Sequence, residues 1–135
     1  MLNRRVLVVG TTADYIEIIW QRFPARVLFL TDAGERTGAA EPAPEASAEV
    51  LVDLGKPREC VAALLEHLGT WRMCLTGVAC FDCESLALAA RIANRLKLPF
   101  SSATAIAASR SKFHSKRLWL RAGLPCPRVR LVRRL

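Results

Sequence analysis

Beyond Glu84 the chain contains no acidic residue at all. Twelve Asp and Glu stand against eight Lys and Arg up to that point, and twelve further Lys and Arg follow. A C-terminal part without internal counter-charge predicts an anionic partner: nucleic acid, a phosphate-bearing ligand or an acidic surface. Long apolar runs are missing too. No stretch approaches the ~18 residues of a membrane helix, and Leu7 to Val9 is too short for a signal-peptide core, so a cytoplasmic protein without a membrane partner is expected. The five cysteines are odd in number and irregularly spaced, which predicts reduced thiols rather than a disulfide framework. Cys80-Phe81-Asp82-Cys83 has no second C-x-x-C and no H-x₃-H to complete a zinc site, so packing thiols and no metal are expected. His67 and His114 have no companion nucleophile or carboxylate at a telling spacing, so no catalytic residue is assigned.

What is present is organised around Leu75 to Pro99, LTGVACFDCESLALAARIANRLKLP. It reads as a buried strand, a turn carrying Asp82 and Glu84, and an amphipathic helix. Leu86, Ala89, Ala90, Ala93 and Leu96 form the inner face, with Arg91, Asn94, Arg95 and Lys97 mostly outside. Small alanines let such a helix sit close on a sheet, and negative charge is favoured at its N-terminus. This is half of a βαβ unit.

The remaining segments fit as its neighbours. Arg5 to Gly10, RVLVVG, reads as a central parallel strand, and a helix follows to about Arg22 with Tyr15, Ile16, Ile19, Trp20 and Phe23 on its apolar face. Arg26 to Thr31 is a second strand, joined to the first by a right-handed parallel crossover. Asp32 to Ala48 has no periodicity and reads as an exposed loop. Glu49 to Leu54 is a short strand near an edge, and Pro57 starts a helix to about Leu68 with Val61, Leu64, Leu65 and Leu68 inward. Trp71 to Val78 is the fourth strand, and Pro99 to Ser102 a fifth or an extended segment.

The prediction is therefore an α/β fold, a Rossmann-like doubly wound parallel sheet of four to five strands, over residues 1–102. Residues 103–135 form a basic extension. It comprises a helix from Ala103 to Ser109, a second capped by Ser109 or Ser111 and running to Ala122, and a strand from Arg128 to Val132. A strand that finishes with the chain has nothing to pair with, so a polypeptide continuing past Leu135 is expected.

Three places carry candidate chemistry. Gly10-Thr11-Thr12 follows a central strand, so its N–H groups either face an anion or form a plain tight turn; neither G-x-G-x-x-G nor G-x-x-x-x-G-K-[ST] occurs. Asp82 and Glu84 either cap the helix or touch a ligand at a strand C-terminus. In SRSKFHSKRLWLR, from Ser109, the like-charged pairs Lys112/Lys116 and Arg117/Arg121 lie at i,i+4, a spacing that is either solvated or matched by an anion.

The order of strand, Asp82-x-Glu84, alanine-rich helix, Leu98-Pro99, Ser111-Lys112, Ala122-Gly123-Leu124-Pro125 and Pro127, with the opening VLVVG, resembles the N-terminal part of ATP-grasp ligases, carbamoyl-phosphate-synthase-like and biotin-carboxylase-like. The resemblance implies a pre-ATP-grasp domain followed by the first helix and strand of the nucleotide-binding part. In such enzymes ATP phosphorylates a carboxylate, and a nucleophile then attacks the acyl phosphate. It further implies ATP and Mg²⁺ as cofactors of the full-length protein and none bound by this chain alone. Lys112 would approach the ATP phosphates, and Gly10, Thr11, Asp82 and Glu84 would form a lip for a small carboxylate substrate. Its partners would be the remaining ATP-grasp domains of the same polypeptide, and a homodimer is compatible. The alternatives are a stand-alone basic module on nucleic acid or an acidic partner, although no helix-turn-helix or other such motif is present, and a non-catalytic α/β interaction domain.

Overall fold

The computed structural model describes residues 3–132. They divide into two compact units, one ending at Phe100 and one beginning at Ser101.

The first unit is a four-stranded, wholly parallel sheet with helices on both faces, a Rossmann-like α/β fold. Its strands are β1 (Asn3–Val9), β2 (Val27–Asp32), β3 (Glu49–Val52) and β4 (Met73–Ala79), in the order β3-β2-β1-β4. The VLVV run is thus interior, paired with β2 on one side and β4 on the other. Strands buried on both faces need apolar side chains at every position, which is why β1 and β2 lack alternation. Leu7, Val9, Leu28 and Leu30 point to one face, together with Leu64 and Cys60 of α3 (Pro57–Thr70) and Leu88, Ala89 and Ile92 of α4 (Leu86–Arg95). Val8, Val27 and Phe29 point to the other, against Ile16 of α1 (Ala13–Arg22).

Several expectations change. The segment after β2 is not wholly irregular: Asp32 caps a short helix, α2 (Ala33–Arg36), by accepting from the Gly34 N–H at 2.8 Å. Pro99 to Ser102 adds no fifth strand, and Arg128 to Val132 has no regular structure. A strand in a parallel sheet needs a neighbour presenting matching N–H and C=O groups, and none lies beside either segment among the described residues. In α1 only Ala13 and Ile16 are buried; Tyr15 and Phe23 stand about half exposed. In α3 Leu65 faces water and Cys60 takes the inward place. The buried stripe of α4 also includes Leu88 and Ile92, which the alanine pattern left out.

A polar cluster fastens β3 at its edge. The Glu49 carboxylate accepts from Arg36 at 2.7 Å and from the Thr31 hydroxyl at 2.8 Å, with the Arg36 and Glu49 side chains 12% and 5% exposed. Among the described residues, Arg36 Nε and Nη1 have no hydrogen-bond partner, and they are shut off from solvent. Removing one member of a buried ion pair costs roughly 3–5 kcal/mol, whereas replacing both with apolar groups is often neutral. Glu49→Gln is therefore expected to lower unfolding free energy by about 2–4 kcal/mol in urea, with the double variant Arg36→Met/Glu49→Leu losing less. Equal or greater loss in the double variant contradicts the account.

The second unit holds α5 (Ala103–Arg110) and α6 (Lys112–Arg121), each opened by a serine: Ser102 accepts from the Ala105 N–H and Ser111 from the His114 N–H. Ser115 Oγ donates to the Ala108 carbonyl at 2.6 Å and ties α6 to α5. Ile106 and Ala108 are its buried residues, and no residue of α6 is buried. Leu118, Trp119, Leu120 and Leu124 are 40–54% exposed. No helix among the described residues is long and apolar enough to cross a membrane.

Candidate functional site

In a parallel sheet with helices on both faces, the loops after the strand C-termini converge on one edge, where such folds place their ligands. Here those loops enclose a cleft of about 770 Å³ in the first unit. Gly10 and Thr11 follow β1, Asp32 and Glu35 surround the end of β2, Leu54 follows β3, and Phe81 to Ser85, apart from Cys83, follow β4. Four of the five residues singled out from the sequence, Gly10, Thr11, Asp82 and Glu84, therefore line one cleft.

Gly10 has φ +59°, a left-handed conformation that favours glycine. A Cβ built there would stand 2.7 Å from Asp82 Oδ2 and closer still to Ser85 Oγ. The close approach that requires glycine is thus to the cap of α4. Asp82 Oδ1 in turn accepts from the Ser85 N–H at 2.6 Å, and Ser85 is buried. The carboxylate satisfies one of the donors that a helix N-terminus leaves open. Asp82 is thereby a capping residue that also faces the cleft.

Asp32 was not singled out from the sequence, yet both of its carboxylate oxygens accept backbone N–H groups. Its Oδ1 accepts from Gly34 N and its Oδ2 from Leu54 N at 3.0 Å, so one side chain closes the α2 turn and holds the loop after β3. The available signal was an Asp directly after an apolar strand and two residues before a glycine. That is an Asx-turn pattern. Glu35, Tyr15 and Phe81 also line the cleft and went unnoticed. Tyr15 and Phe81 are 56% and 63% exposed, because their rings border the open space instead of packing inward.

The lining includes Asp32, Glu35, Asp82 and Glu84, and no Lys, Arg or His among the described residues. Two helix N-termini at this edge, those of α2 and α4, already hold internal carboxylates. The Thr12 hydroxyl donates to Asp14 at the start of α1 and holds that carboxyl below its usual range. Lys112 belongs to the second unit, exposed in the first turn of α6, which Ser111 caps. Among the described residues no group of three or more His, Cys, Asp and Glu is placed to hold a metal ion.

No protein-family model matches the sequence, and no curated protein matches it. Among solved structures the chain is similar to the crystal structure of L-amino acid ligase from Bacillus licheniformis, with a TM-score of 0.69 over 94% of this chain. The identity is 17%, a level at which the likeness shows the fold alone. The chain spans 32% of that ligase's length.

The packing at Gly10 makes a direct test. Gly10→Ala combines an unfavourable φ with a clash against Ser85 and Asp82, and is expected to destabilise the protein by about 2–4 kcal/mol in chemical denaturation. Ser85→Ala alone removes the nearest atom and should be far milder. A Gly10→Ala protein as stable as the parent overturns the close-approach account.

Proposed function

We propose that this chain is the substrate-side N-terminal domain of an ATP-grasp carboxylate–amine ligase, with the unit from Ser101 onward forming the beginning of its nucleotide-binding part. The observation that carries the reading is a coincidence of two independent signals. The ordered motifs from VLVVG to Pro127 resemble that family, and nearly the whole chain superposes on part of one ligase.

In this reading ATP phosphorylates a substrate carboxylate, and an amine displaces the phosphate. Gly10, Thr11, Asp82 and Glu84 form the lip over which the acceptor substrate lies. The cleft offers four carboxylates and no cation, so it suits the uncharged or ammonium end of that substrate. The carboxylate to be activated then points out of the cleft, toward ATP, since inside it would meet only like charge. Lys112 approaches the ATP phosphates. The Mg²⁺ ligands come from the remaining ATP-grasp domains of the same polypeptide, because no acid follows Glu84. The chain by itself is inactive.

A second reading is favoured by one observation, the twelve Lys and Arg that follow Glu84 without an acid: a basic module on nucleic acid. Its signature is duplex or single-strand binding that weakens steeply with salt.

The ligase reading predicts different behaviour for the chain and for the longer polypeptide. An exposed lysine contributes ~1 kcal/mol or less to an ion contact, against ~4 kcal/mol for millimolar affinity. Calorimetry on the chain with MgATP should detect no binding tighter than about millimolar. Joined to the remaining ATP-grasp domains, Lys112→Ala should raise the KM for ATP about ten- to a hundredfold, as expected for one charge-assisted hydrogen bond in an enclosed cleft. Micromolar ATP binding by the chain, or an unchanged KM in the longer variant, contradicts the reading.

A further inference from the structure

The C-x-x-C of this chain is absorbed neither by a metal site nor by the ligase reading. Its position is nevertheless specific. Cys80 follows the last residue of β4, Cys83 lies two residues before the Ser85 cap of α4, and Phe81 and Asp82 between them line the cleft. The Cys80 thiol is folded forward over this turn and donates to the Asp82 carbonyl at 3.3 Å. That carbonyl belongs to the peptide group that leads into Cys83. The Cys80 sulfur is therefore held against the backbone of the other cysteine. Cys83 is exposed and Cys80 half-buried; of the other three, Cys60 is fully buried, Cys74 lies within β4 and Cys126 belongs to the other unit.

We propose that Cys80 and Cys83 are a redox pair, which a low-molecular-weight disulfide such as oxidised glutathione converts to an intramolecular bridge across the turn that walls the cleft. The exposed thiol reacts first. Cys83 loses its proton to water, and its thiolate attacks one sulfur of oxidised glutathione. The S–S bond of the oxidant breaks, and one glutathione thiolate leaves and is protonated. Cys80 then loses its proton, its sulfur attacks Cys83 Sγ, and the second glutathione leaves as thiol. Two protein thiols are oxidised and one small disulfide is reduced to two thiols. Burial pushes the Cys80 thiol up to about 11, and the hydrogen bond to the Asp82 carbonyl pulls the other way by less. Cys80 is thus a poor first nucleophile, and as the resolving thiol it benefits from being tethered beside its target. Bridging demands Cα atoms about 4.4–6.8 Å apart, and the Cys80 sulfur already lies 3.3 Å from the carbonyl oxygen of the residue that precedes Cys83. The consequence is a stiffened Phe81-Asp82 wall in the oxidised form. The inference stands whether or not the chain belongs to a ligase.

The test uses the full chain equilibrated with oxidised glutathione under native conditions, followed by alkylation and peptide mapping. The expected product has lost the mass of two hydrogen atoms, carries a Cys80–Cys83 link, and leaves Cys60, Cys74 and Cys126 reduced. Amide exchange over residues 80–85 should slow relative to the reduced protein. Cys80→Ser should stop at a glutathione adduct on Cys83, and Cys83→Ser should form neither adduct nor bridge in this turn. Both thiols remaining alkylatable in excess oxidised glutathione overturns the proposal, as does a wild-type adduct on Cys83 that never resolves. Unchanged exchange over residues 80–85 in the bridged protein overturns the stiffening.

Discussion

The first unit depends on the absence of a side chain at Gly10. With φ at +59° and the Ser85 and Asp82 side chains filling the space where a Cβ would stand, the end of β1 is pressed against the cap of α4. That contact joins the interior strand to the helix following the edge strand β4. It thereby fixes where the loops after β1 and β4 meet. Asp82 completes the joint by accepting from Ser85 N, so the same carboxylate caps a helix, packs on a glycine and faces the cleft.

A similar economy holds on the other side of the cleft. Asp32 divides its two oxygens between Gly34 N and Leu54 N, tying the short α2 to the loop after β3. Beneath it, Glu49 collects Arg36 and Thr31 and holds the short edge strand in place. Four-residue strands and helices make few hydrogen bonds of their own, and here charged side chains supply the rest. The effect is an edge rich in carboxylate whose negative charge is partly engaged by backbone N–H groups. A ligand with a positive or neutral end meets no electrostatic opposition there, and one with a negative end does.

The second unit has a different balance. Its serine caps and the Ser115–Ala108 bond account for the local helices, but α6 buries nothing and leaves Leu118, Trp119 and Leu120 open to water. Apolar side chains beside a dense positive charge leave α6 with a face that its own unit does not cover.

The sequence by itself determined the parallel α/β class, the interior place of VLVVG and the approximate position of every long element. Strands buried on both faces and helices with an apolar stripe each carry a local pattern of period two or 3.6, or an unbroken run. It also pointed to Gly10, Thr11, Asp82 and Glu84, because strand ends and turn residues are visible in one dimension. The tertiary structure alone decided that Leu88 and Ile92 are buried while Tyr15 and Leu65 are not, since which part of an apolar face is covered depends on the neighbouring element. It likewise decided the fate of Arg128 to Val132, whose alternation suits a strand but which pairs with no strand among the described residues. The Asx-turn of Asp32 has a local signal, but its second role became legible only in three dimensions, because its other oxygen serves Leu54, far along the chain. Hydrogen bonds between distant loops leave no periodic trace in the sequence, and the bond from Leu54 N to Asp32 is of that kind.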